Sequence, residues 1–350
     1  MSVPGRKSRP MRLIFAIYIF LNLFLNALFV LVRNTRPSSS LPEWQQSYRS
    51  YEYQIPNAQV LAVHPMLSLD VVQLRVLVDD LVEGETKQSI KYVDLRASTW
   101  PSQPIVSLPS LPPGDWNQAT MEVTEDAKAY DTDYHFMPWP GLSEPWHPLN
   151  IDYLDLRKVK SLKTVSNLRR VEKADFLQVV THPVFNRPVL MKISSFPNLM
   201  EQAISDAEVS IYKRIEGLGI APRFLGYVTE HGRVIGFLLE YLDDAINASE
   251  VWNEETKRAC HASLEKLHSR GIAHMDAHRN NCLIRKDGSA VLIDFELSFE
   301  NVTNEKTFSF DLKRMGQVST RWEKTSFYLD ILFFRPLLAA LRPWELLHYL

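Results

Sequence analysis

Two short strand-like runs near residue 290 constrain the fold of this chain more than any other part of its sequence. Residues 282–285 and 290–293 are apolar and β-prone, and Asp287-Gly288 between them is a favoured two-residue hairpin turn. A hairpin closed by that turn has Asn281 opposite Asp294, with the two side chains starting about 5 Å apart on one face. Amide and carboxylate oxygens are hard ligands that Mg²⁺ takes together with phosphate oxygens and water. The sequence therefore predicts a magnesium-binding pair at the open end of a small hairpin.

The segment before this hairpin carries a second polar pattern. His274-x-Asp276-x4-Asn281, followed by Asp294-Phe295, resembles the catalytic loop and the magnesium loop of the protein-kinase-like superfamily. In that resemblance Asp276 accepts the proton of a hydroxyl nucleophile, while Asn281 and Asp294 hold magnesium. The resemblance implies an α+β, bilobal protein-kinase-like fold with a small β-rich upper lobe and a helical lower lobe.

An upstream strand and helix carry partners for such a site. Residues 189–192 resemble the kinase strand whose lysine, here Lys192, contacts phosphate; the alternative is a lysine that is simply solvated. In the helix predicted for residues 198–217, Glu208 lies within an apolar stripe. A carboxylate on a buried face needs a cationic partner, and Lys192 is the candidate. Glu201, near the helix start, is expected in solvent or at the helix dipole.

Two further strands are predicted at residues 223–229 and 234–241, on either side of a turn. In the resemblance the second strand leads into the kinase hinge. The backbone of Glu240, Tyr241 and Leu242 would there read the adenine edge of ATP.

The next predicted helix, residues 253–270, ends at Gly271, a typical residue just beyond a helix C-terminus. It would deliver Asp276 to the site. The resemblance extends from near Leu168 to Asp311, and Asp311 is expected to tie its own helix back to the catalytic loop.

Three departures from the kinase pattern bear on activity. Residues 172–175 carry no glycine where kinases cover the phosphates with a Gly-rich loop, and Met275 replaces an arginine. Glu296 stands where protein kinases have glycine. His278 makes the loop similar to aminoglycoside phosphotransferases, and Asp-Phe-Glu is similar to choline kinases. Glu296 either adds a carboxylate beside the metal or caps the chain after the hairpin, and His278 has the alternative role of a hydrogen-bonded loop residue.

The lower lobe is short for a kinase. Only 56 residues follow Asp294, and no Ala-Pro-Glu triplet occurs among them. Residues 308–322 and 326–349 are predicted helices, so a platform for a protein substrate is reduced or atypical.

The N-terminus predicts a membrane anchor. Residues 13–32 form a run without a charged residue, long enough to cross a bilayer as a single helix, and basic residues flank it within residues 1–36. A cleavable signal peptide is the alternative. We expect a single-pass membrane protein, with the helix at 13–32 contacting the membrane.

The side of the membrane on which the kinase-like region lies is left open by the sequence. The larger positive charge before the span favours a cytosolic N-terminus and a translocated domain, where sequons at Asn247 and Asn301 are usable. Two sequons are also close to chance expectation, and the cytosol is rich in ATP. Cys260 and Cys282 are expected to be buried free thiols.

The remaining sequence divides into two regions, a β- and Pro-rich accessory region at residues 37–150 and the protein-kinase-like domain at residues 151–350. The formal net charge of −2 gives no general attraction to nucleic acid, so no nucleic-acid partner is expected.

Together with these patterns, the resemblance implies an ATP-dependent phosphotransferase with ATP and Mg²⁺ as cofactors. Lys192, Glu208 and Asp276 would be its catalytic residues, and a hydroxyl group of a protein or of a small molecule would be the acceptor. The alternative is a membrane-anchored pseudokinase that binds a partner. The missing glycines favour the pseudokinase, whereas the retention of all five catalytic-type residues favours the enzyme.

Overall fold

The computed structural model describes residues 52–66, 71–82, 85–96, 105–123, 130–142, 145–162, 176–197 and 199–317. All of them except Gln317 belong to one compact unit that spans residues 42–316. The predicted span at 13–32, the segment 172–175 and the predicted helix at 326–349 lie outside the described residues. Within the part that is described, no helix is long and apolar enough to cross a membrane.

The first part of the unit is built on a five-stranded sheet, here called the accessory sheet. Its strands are β2 (Ala58–Met66), β3 (Val71–Val82), β4 (Glu85–Arg96), β6 (Gln118–Val123) and β7 (Tyr130–His135), in the order β2-β3-β4-β6-β7. Neighbouring strands are antiparallel except β4 and β6, which are parallel. The short strands β1 (Glu52–Gln54) and β5 (Ile105–Ser107) form a separate parallel pair.

Strand β3 is buried on both faces. Val72, Leu74 and Val76 alternate along it and pack into an apolar core with residues of β1, β4, β5 and β6. Successive side chains of a strand point to opposite faces, so Arg75 lies on the other side, and it too is buried. On that side Arg75 contacts the Tyr153 ring and Glu230, and Glu230 belongs to a second sheet.

This second sheet, here called the upper sheet, has six strands in the order β8-β12-β13-β11-β10-β9. They are β8 (Asn150–Asp152), β9 (Arg157–Ser161), β10 (Leu177–Thr181), β11 (Val189–Ile193), β12 (Phe224–Glu230) and β13 (Arg233–Glu240). Helix α1 (Leu199–Ile215) follows β11 and packs its buried Ile211, Tyr212 and Ile215 into a core with Phe224 and Phe237 of the sheet. The strands and the helix predicted in this part of the sequence are therefore present.

A buried polar cluster joins the accessory sheet to the upper sheet, and it is called the seam below. Glu230, at the end of β12, accepts hydrogen bonds from Arg75 Nη2 at 2.6 Å, Tyr92 Oη at 2.6 Å and Arg233 Nη2 at 2.8 Å. Beside the seam, Phe196 packs on the Tyr92 ring with the centroids 6.3 Å apart. Because Phe196 lies between β11 and α1, the accessory sheet contacts the connection that leads into α1.

Below the upper sheet, helix α2 (Glu254–His268) begins with a capping box between Asn253 and Thr256. Strands β14 (Ile246–Asn247), β15 (Cys282–Ile284) and β16 (Ala290–Leu292) form a small sheet. Helix α3 (Glu305–Met315) is capped by Asn304, so it begins three residues before the predicted start at 308 and ends before 322. The described residues form a sheet-rich α+β arrangement that is compatible with the predicted kinase-like fold.

The predicted register of the hairpin is wrong by one residue. Cys282 pairs with Leu292, and the amide of Ile293 donates to the carbonyl of Asn281. A two-residue type I′ turn needs positive φ at both central residues, but only Gly288 has it, at 81°. The loop therefore has three residues, 286–288, and Asn281 faces Ile293 instead of Asp294.

The expectation of two free thiols is also wrong. Cys260 of α2 and Cys282 of β15 are joined by a disulfide, and both residues are fully buried. Each cysteine was correctly expected in the core. The sequence did not show, however, that the buried side of α2 and the buried side of β15 pack against each other. The bond ties the strand that follows Asn281 to α2.

Candidate functional site

The candidate site is centred on Lys192, which lies on β11 with its side chain almost fully buried. Lys192 Nζ lies 2.6 Å from Glu208 Oε2, 2.9 Å from Glu296 Oε1 and 3.4 Å from Asp294 Oδ1. Three carboxylates thus share one ammonium group. If all of them are ionised, this cluster, called the carboxylate cluster below, carries an excess of two negative charges.

Glu208 reaches Lys192 from the buried face of α1. Burial raises the pKa of Glu208 to about 7; Lys192 opposes this shift, and Glu296 and Asp294 add to it. The same helix face also buries Ser205 and Glu201, one and two turns earlier. The expectation that Glu201 lies in solvent is therefore wrong, because the buried face of α1 extends back to the first turn.

Asp294 is the solvent-accessible member of the carboxylate cluster, with 45% of its side chain exposed. Its backbone is left-handed, with φ at 65°, which costs a residue with a Cβ atom about 1 kcal/mol or more. Such a conformation persists only where the surrounding structure holds it, and it is often found at functional sites. Asp294 can therefore meet a ligand from solvent while it faces Lys192.

Asp276 lies in the loop after α2 and is held by donors on both carboxylate oxygens. Arg314 Nη2 of α3 donates to Oδ1 at 3.0 Å, and Asn281 Nδ2 donates to Oδ2 at 3.2 Å. His278 Nε2 is 3.4 Å from the same Oδ2. Because Asn281 uses its amide nitrogen on Asp276, its amide oxygen is left to meet another ligand.

The backbone of this loop is fixed by Asp311 of α3. Asp311 accepts hydrogen bonds from the amides of His274 at 2.7 Å and Met275 at 2.8 Å, and His268 Nε2 lies 3.1 Å away. This confirms the expectation that Asp311 ties its helix to the loop. Met275 has a left-handed φ of 64°, so the backbone turns sharply just before Asp276.

The predicted hinge residues lie at the end of β13. The amide of Glu240 donates to the carbonyl of Arg223, and its carboxylate accepts from Arg285 Nη2 at 3.2 Å. Its amide is thus bonded to the residue before β12, and its carboxylate contacts the hairpin. Tyr241 has the ammonium of Lys160 5.2 Å from its ring centroid. Among the described residues, the amide of Leu242 makes no hydrogen bond.

A cavity of about 290 Å³ opens beside the hinge. Its lining includes Glu240, Tyr241, Arg223, residues 184–188 of the turn between β10 and β11, and Val189 at the start of β11. None of Lys192, Asp276 or Asp294 contributes to that lining, so this cavity is separate from the carboxylate cluster.

Three residues of the site had no single role assigned from the sequence. Arg314 lies three residues after Asp311, and the i, i+3 spacing on α3 was the available signal that both face the catalytic loop. For Glu296 two roles were left open, and its Oε1 lies 2.9 Å from Lys192 Nζ. His278 has no hydrogen-bond partner on either buried ring nitrogen within the described residues.

Comparisons with known proteins agree with this geometry. The sequence model of the lipopolysaccharide kinase (Kdo/WaaP) family matches residues 236–327. The chain is also similar to a probable cAMP-dependent protein kinase catalytic subunit of Encephalitozoon cuniculi (strain GB-M1), at 27% identity over 154 residues, which cover 37% of this chain and 47% of that relative.

Both comparisons support a protein-kinase-like superfamily for this chain.

The family match covers only part of the site that the structure describes. The match at 236–327 includes the hinge, Asp276, Asn281 and Asp294, whereas Lys192 lies upstream of it. The chain spans about half the length of the curated relative that it matches. The ion pair between Lys192 and Glu208 is therefore known from the structure and not from the family match. In the structure these upstream residues lie beside the matched loops.

The donor atoms fit a magnesium ion that is bound together with a nucleotide. No group of three or more His, Cys, Asp or Glu side chains in the described stretches could hold a metal ion. Mg²⁺ in nucleotide sites commonly takes one or two protein oxygens and completes its shell with phosphate and water. The amide oxygen of Asn281 and the exposed carboxylate of Asp294 are donors of that kind, and the excess negative charge favours a cation.

Proposed function

We propose that this protein is a phosphotransferase that uses Mg-ATP to phosphorylate a hydroxyl acceptor. The observation that carries the proposal is the carboxylate cluster, in which Lys192 is shared by Glu208, Asp294 and Glu296. Buried charge without compensation is costly. A cluster with one cation and three carboxylates is therefore more stable with a further cation bound, as the kinase resemblance requires.

Each residue has a distinct role in this proposal. Lys192 would bind the α- and β-phosphates, and Glu208 would orient Lys192. Asn281 and Asp294 would hold magnesium, which would neutralise part of the negative charge on the phosphates. Phosphoryl transfer needs little covalent chemistry from a protein, so positioning and charge carry most of the catalysis.

Asp276 would orient the acceptor hydroxyl and take its proton. A general base must be ionised before it accepts a proton, and the contacts of Asp276 with Arg314 and Asn281 favour the ionised carboxylate. The same contacts fix its direction. Leu242, whose amide makes no hydrogen bond within the described residues, would donate to the adenine ring, with Glu240 and Tyr241 beside it.

The class of acceptor is proposed from the chemistry of phosphoryl transfer to a hydroxyl group and from the names of similar proteins. The matching family is named for lipopolysaccharide kinases and the similar protein is a probable protein kinase, so their names give a glycan hydroxyl and a protein hydroxyl. Both belong to the hydroxyl acceptors proposed for this chain.

The test is transfer of labelled phosphate from γ-labelled ATP in the presence of Mg²⁺. The acceptor panel contains a generic protein substrate, free sugars, an aminoglycoside and choline. We expect transfer by the full-length chain that falls at least 100-fold in Asp276→Asn. Asp287→Asn, the same substitution at an exposed hairpin residue, is the matched control and should retain activity. Equal transfer by the full-length chain and by Asp276→Asn would overturn the proposal.

A second candidate function is a nucleotide-binding pseudokinase. It is favoured by the absence of glycine at residues 172–175, where kinases cover the phosphates. Mg-ATP binding by the wild-type chain, with no transfer to any acceptor and no hydrolysis of ATP, would support this second function.

A further inference from the structure

Two features of the chain have no part in phosphoryl transfer: the Cys260–Cys282 disulfide and the exposed sequon at Asn301. We propose that the kinase-like region matures on the non-cytosolic side of a secretory membrane, with an N-linked glycan on Asn301. This inference does not rest on the proposed phosphotransferase activity, because neither feature touches the carboxylate cluster.

The disulfide is the first observation. Disulfides form and persist in oxidising compartments such as the lumen of the endoplasmic reticulum, and they are rare in cytosolic proteins. Both cysteines are fully buried between α2 and β15, so the bond belongs to the folded core of the domain. A chain whose core contains a disulfide is expected to fold where thiols are oxidised.

The surroundings of Asn301 are the second observation. Asn301 and Thr303, the two specified positions of the sequon, are both exposed, in the loop that precedes α3. Asn301 is left-handed, with φ at 57°, and its amide oxygen accepts a hydrogen bond from Arg214 Nη1 at 3.2 Å. Within the described residues its amide nitrogen, the atom that carries an N-glycan, makes no hydrogen bond. A glycan at this position extends from an open loop into solvent.

The second sequon, at Asn247, has a different environment. Asn247 is partly buried in β14, and its Nδ2 donates to the carbonyl of Asn280 at 2.9 Å. Its Oδ1 accepts from the amide and the hydroxyl of Ser249. A glycan there would disturb a contact to the residue beside Asn281. The structure therefore favours Asn301 over Asn247 as the modified residue.

The N-terminal sequence agrees with this side of the membrane. Four basic residues precede the predicted span at 13–32, namely Arg6, Lys7, Arg9 and Arg12, and two follow closely, Arg33 and Arg36. The positive-inside rule then predicts that the residues after the span are translocated.

The two modifications need partners that such a compartment supplies. In the first, the two thiols lose two protons and two electrons, which the disulfide of a thiol-disulfide oxidoreductase accepts as it becomes a dithiol. In the second, Nδ2 of Asn301 forms a bond to the anomeric carbon of an oligosaccharide on a lipid pyrophosphate. The bond from that carbon to the phosphate oxygen breaks, the lipid pyrophosphate leaves, and the amide loses one proton to a base of the transferase.

The test uses the tagged full-length chain, expressed in a eukaryotic cell and analysed by immunoblot with and without peptide N-glycosidase F. We expect the enzyme to increase the mobility of the wild-type protein and of Asn247→Gln. Asn301→Gln and Thr303→Ala should both be insensitive to it; Thr303→Ala removes the sequon while it keeps the contact of Asn301 with Arg214.

The thiols are measured in the same samples with a maleimide-polymer probe under denaturing conditions. We expect no labelling before reduction, two labelled thiols after it, and one labelled thiol without reduction in the control Cys260→Ser. Insensitivity of the wild-type protein to the glycosidase would overturn the proposal. So would a mobility change retained in both Asn301→Gln and Thr303→Ala, or two wild-type thiols labelled before reduction.

Discussion

The seam and the carboxylate cluster each contain a buried glutamate, and they treat its charge in opposite ways. At the seam, Glu230 has two guanidinium partners, Arg75 and Arg233, and a tyrosine hydroxyl as a third donor. In the cluster, Glu208 has one ammonium partner, and that ammonium is shared with Asp294 and Glu296.

The pKa values of the two glutamates show the difference. Burial alone would raise the pKa of Glu230, but Arg75 and Arg233 lower it to about 2. Burial raises the pKa of Glu208 to about 7, because Lys192 is insufficient against two neighbouring carboxylates. At the seam, two guanidinium groups of the protein compensate one buried carboxylate, whereas in the cluster one ammonium group is shared by three carboxylates. The first arrangement suits a structural joint, and the second suits a binding site.

The largest expected effect is at the seam. Glu230→Ala leaves Arg75 and Arg233 buried without their carboxylate, and breaking a buried pair in this way costs about 3–5 kcal/mol. We expect the free energy of unfolding in urea to fall by that amount. Glu122→Ala, at an exposed position of the accessory sheet, is the control and should change it by less than about 0.5 kcal/mol. Equal unfolding midpoints for the two variants would mean that Glu230 contributes no more to stability than an exposed glutamate does.

The next effect is on turnover at the cluster. Glu208→Gln leaves Lys192 with Glu296 and Asp294, so we expect a change of less than about 1 kcal/mol in unfolding free energy. Lys192 loses the partner that orients it, and phosphotransfer should fall roughly 10- to 100-fold. Glu216→Gln, exposed just beyond α1, is the matched control for the rate. A stability loss as large as that of Glu230→Ala would show that both glutamates are structural.

Much of the cluster could be anticipated from local sequence patterns. The helical stripe around Glu208 indicated that its carboxylate needs a cationic partner, and the kinase resemblance singled out Lys192, which lies 2.6 Å away. The loop from His274 to Asn281 was likewise identified because its residue spacing resembles the kinase catalytic loop. These features depend on short-range periodicity, which a sequence displays directly.

The seam could not be anticipated in the same way. Arg75 and Glu230 are 155 residues apart, and a charged residue in a strand pattern is ordinarily assigned to the solvent face. The disulfide was missed for a related reason, because two cysteines on different elements do not reveal whether their faces meet. The predicted hairpin register was wrong by one residue, because Asp287-Gly288 fits both a two-residue and a three-residue loop.

The smallest expected effect is the pH dependence, and it has opposite signs in the two regions. A glutamate with a lowered pKa stabilises the fold above pH 4.5, so the contribution of Glu230 is lost as pH falls from 4.5 toward about 2. A glutamate with a raised pKa stabilises it below pH 4.5, so the contribution of Glu208 is lost as pH rises from 4.5 to about 7.

Unfolding free energies of the wild type and of Glu208→Gln, measured without nucleotide across that upper window, test this sign. We expect the variant to gain stability relative to the wild type as pH rises through this window, because a neutral glutamine does not lose the contribution that Glu208 loses. A constant difference between pH 4.5 and 7 would mean that Glu208 is ionised throughout, like Glu230.

The most direct test of the account is the melting temperature with millimolar ATP and Mg²⁺, compared with ATP and EDTA. If the cluster is completed by a metal-bound nucleotide, Mg-ATP at about 100 times its Kd adds roughly 2.7 kcal/mol, which raises the melting temperature by on the order of 5–10 °C. We predict this increase for the wild type and for the control Asp287→Asn, and its loss in Asp294→Asn or in EDTA. An increase of the same size in EDTA, or none in the wild type, would contradict the claim that the cluster is a magnesium-nucleotide site.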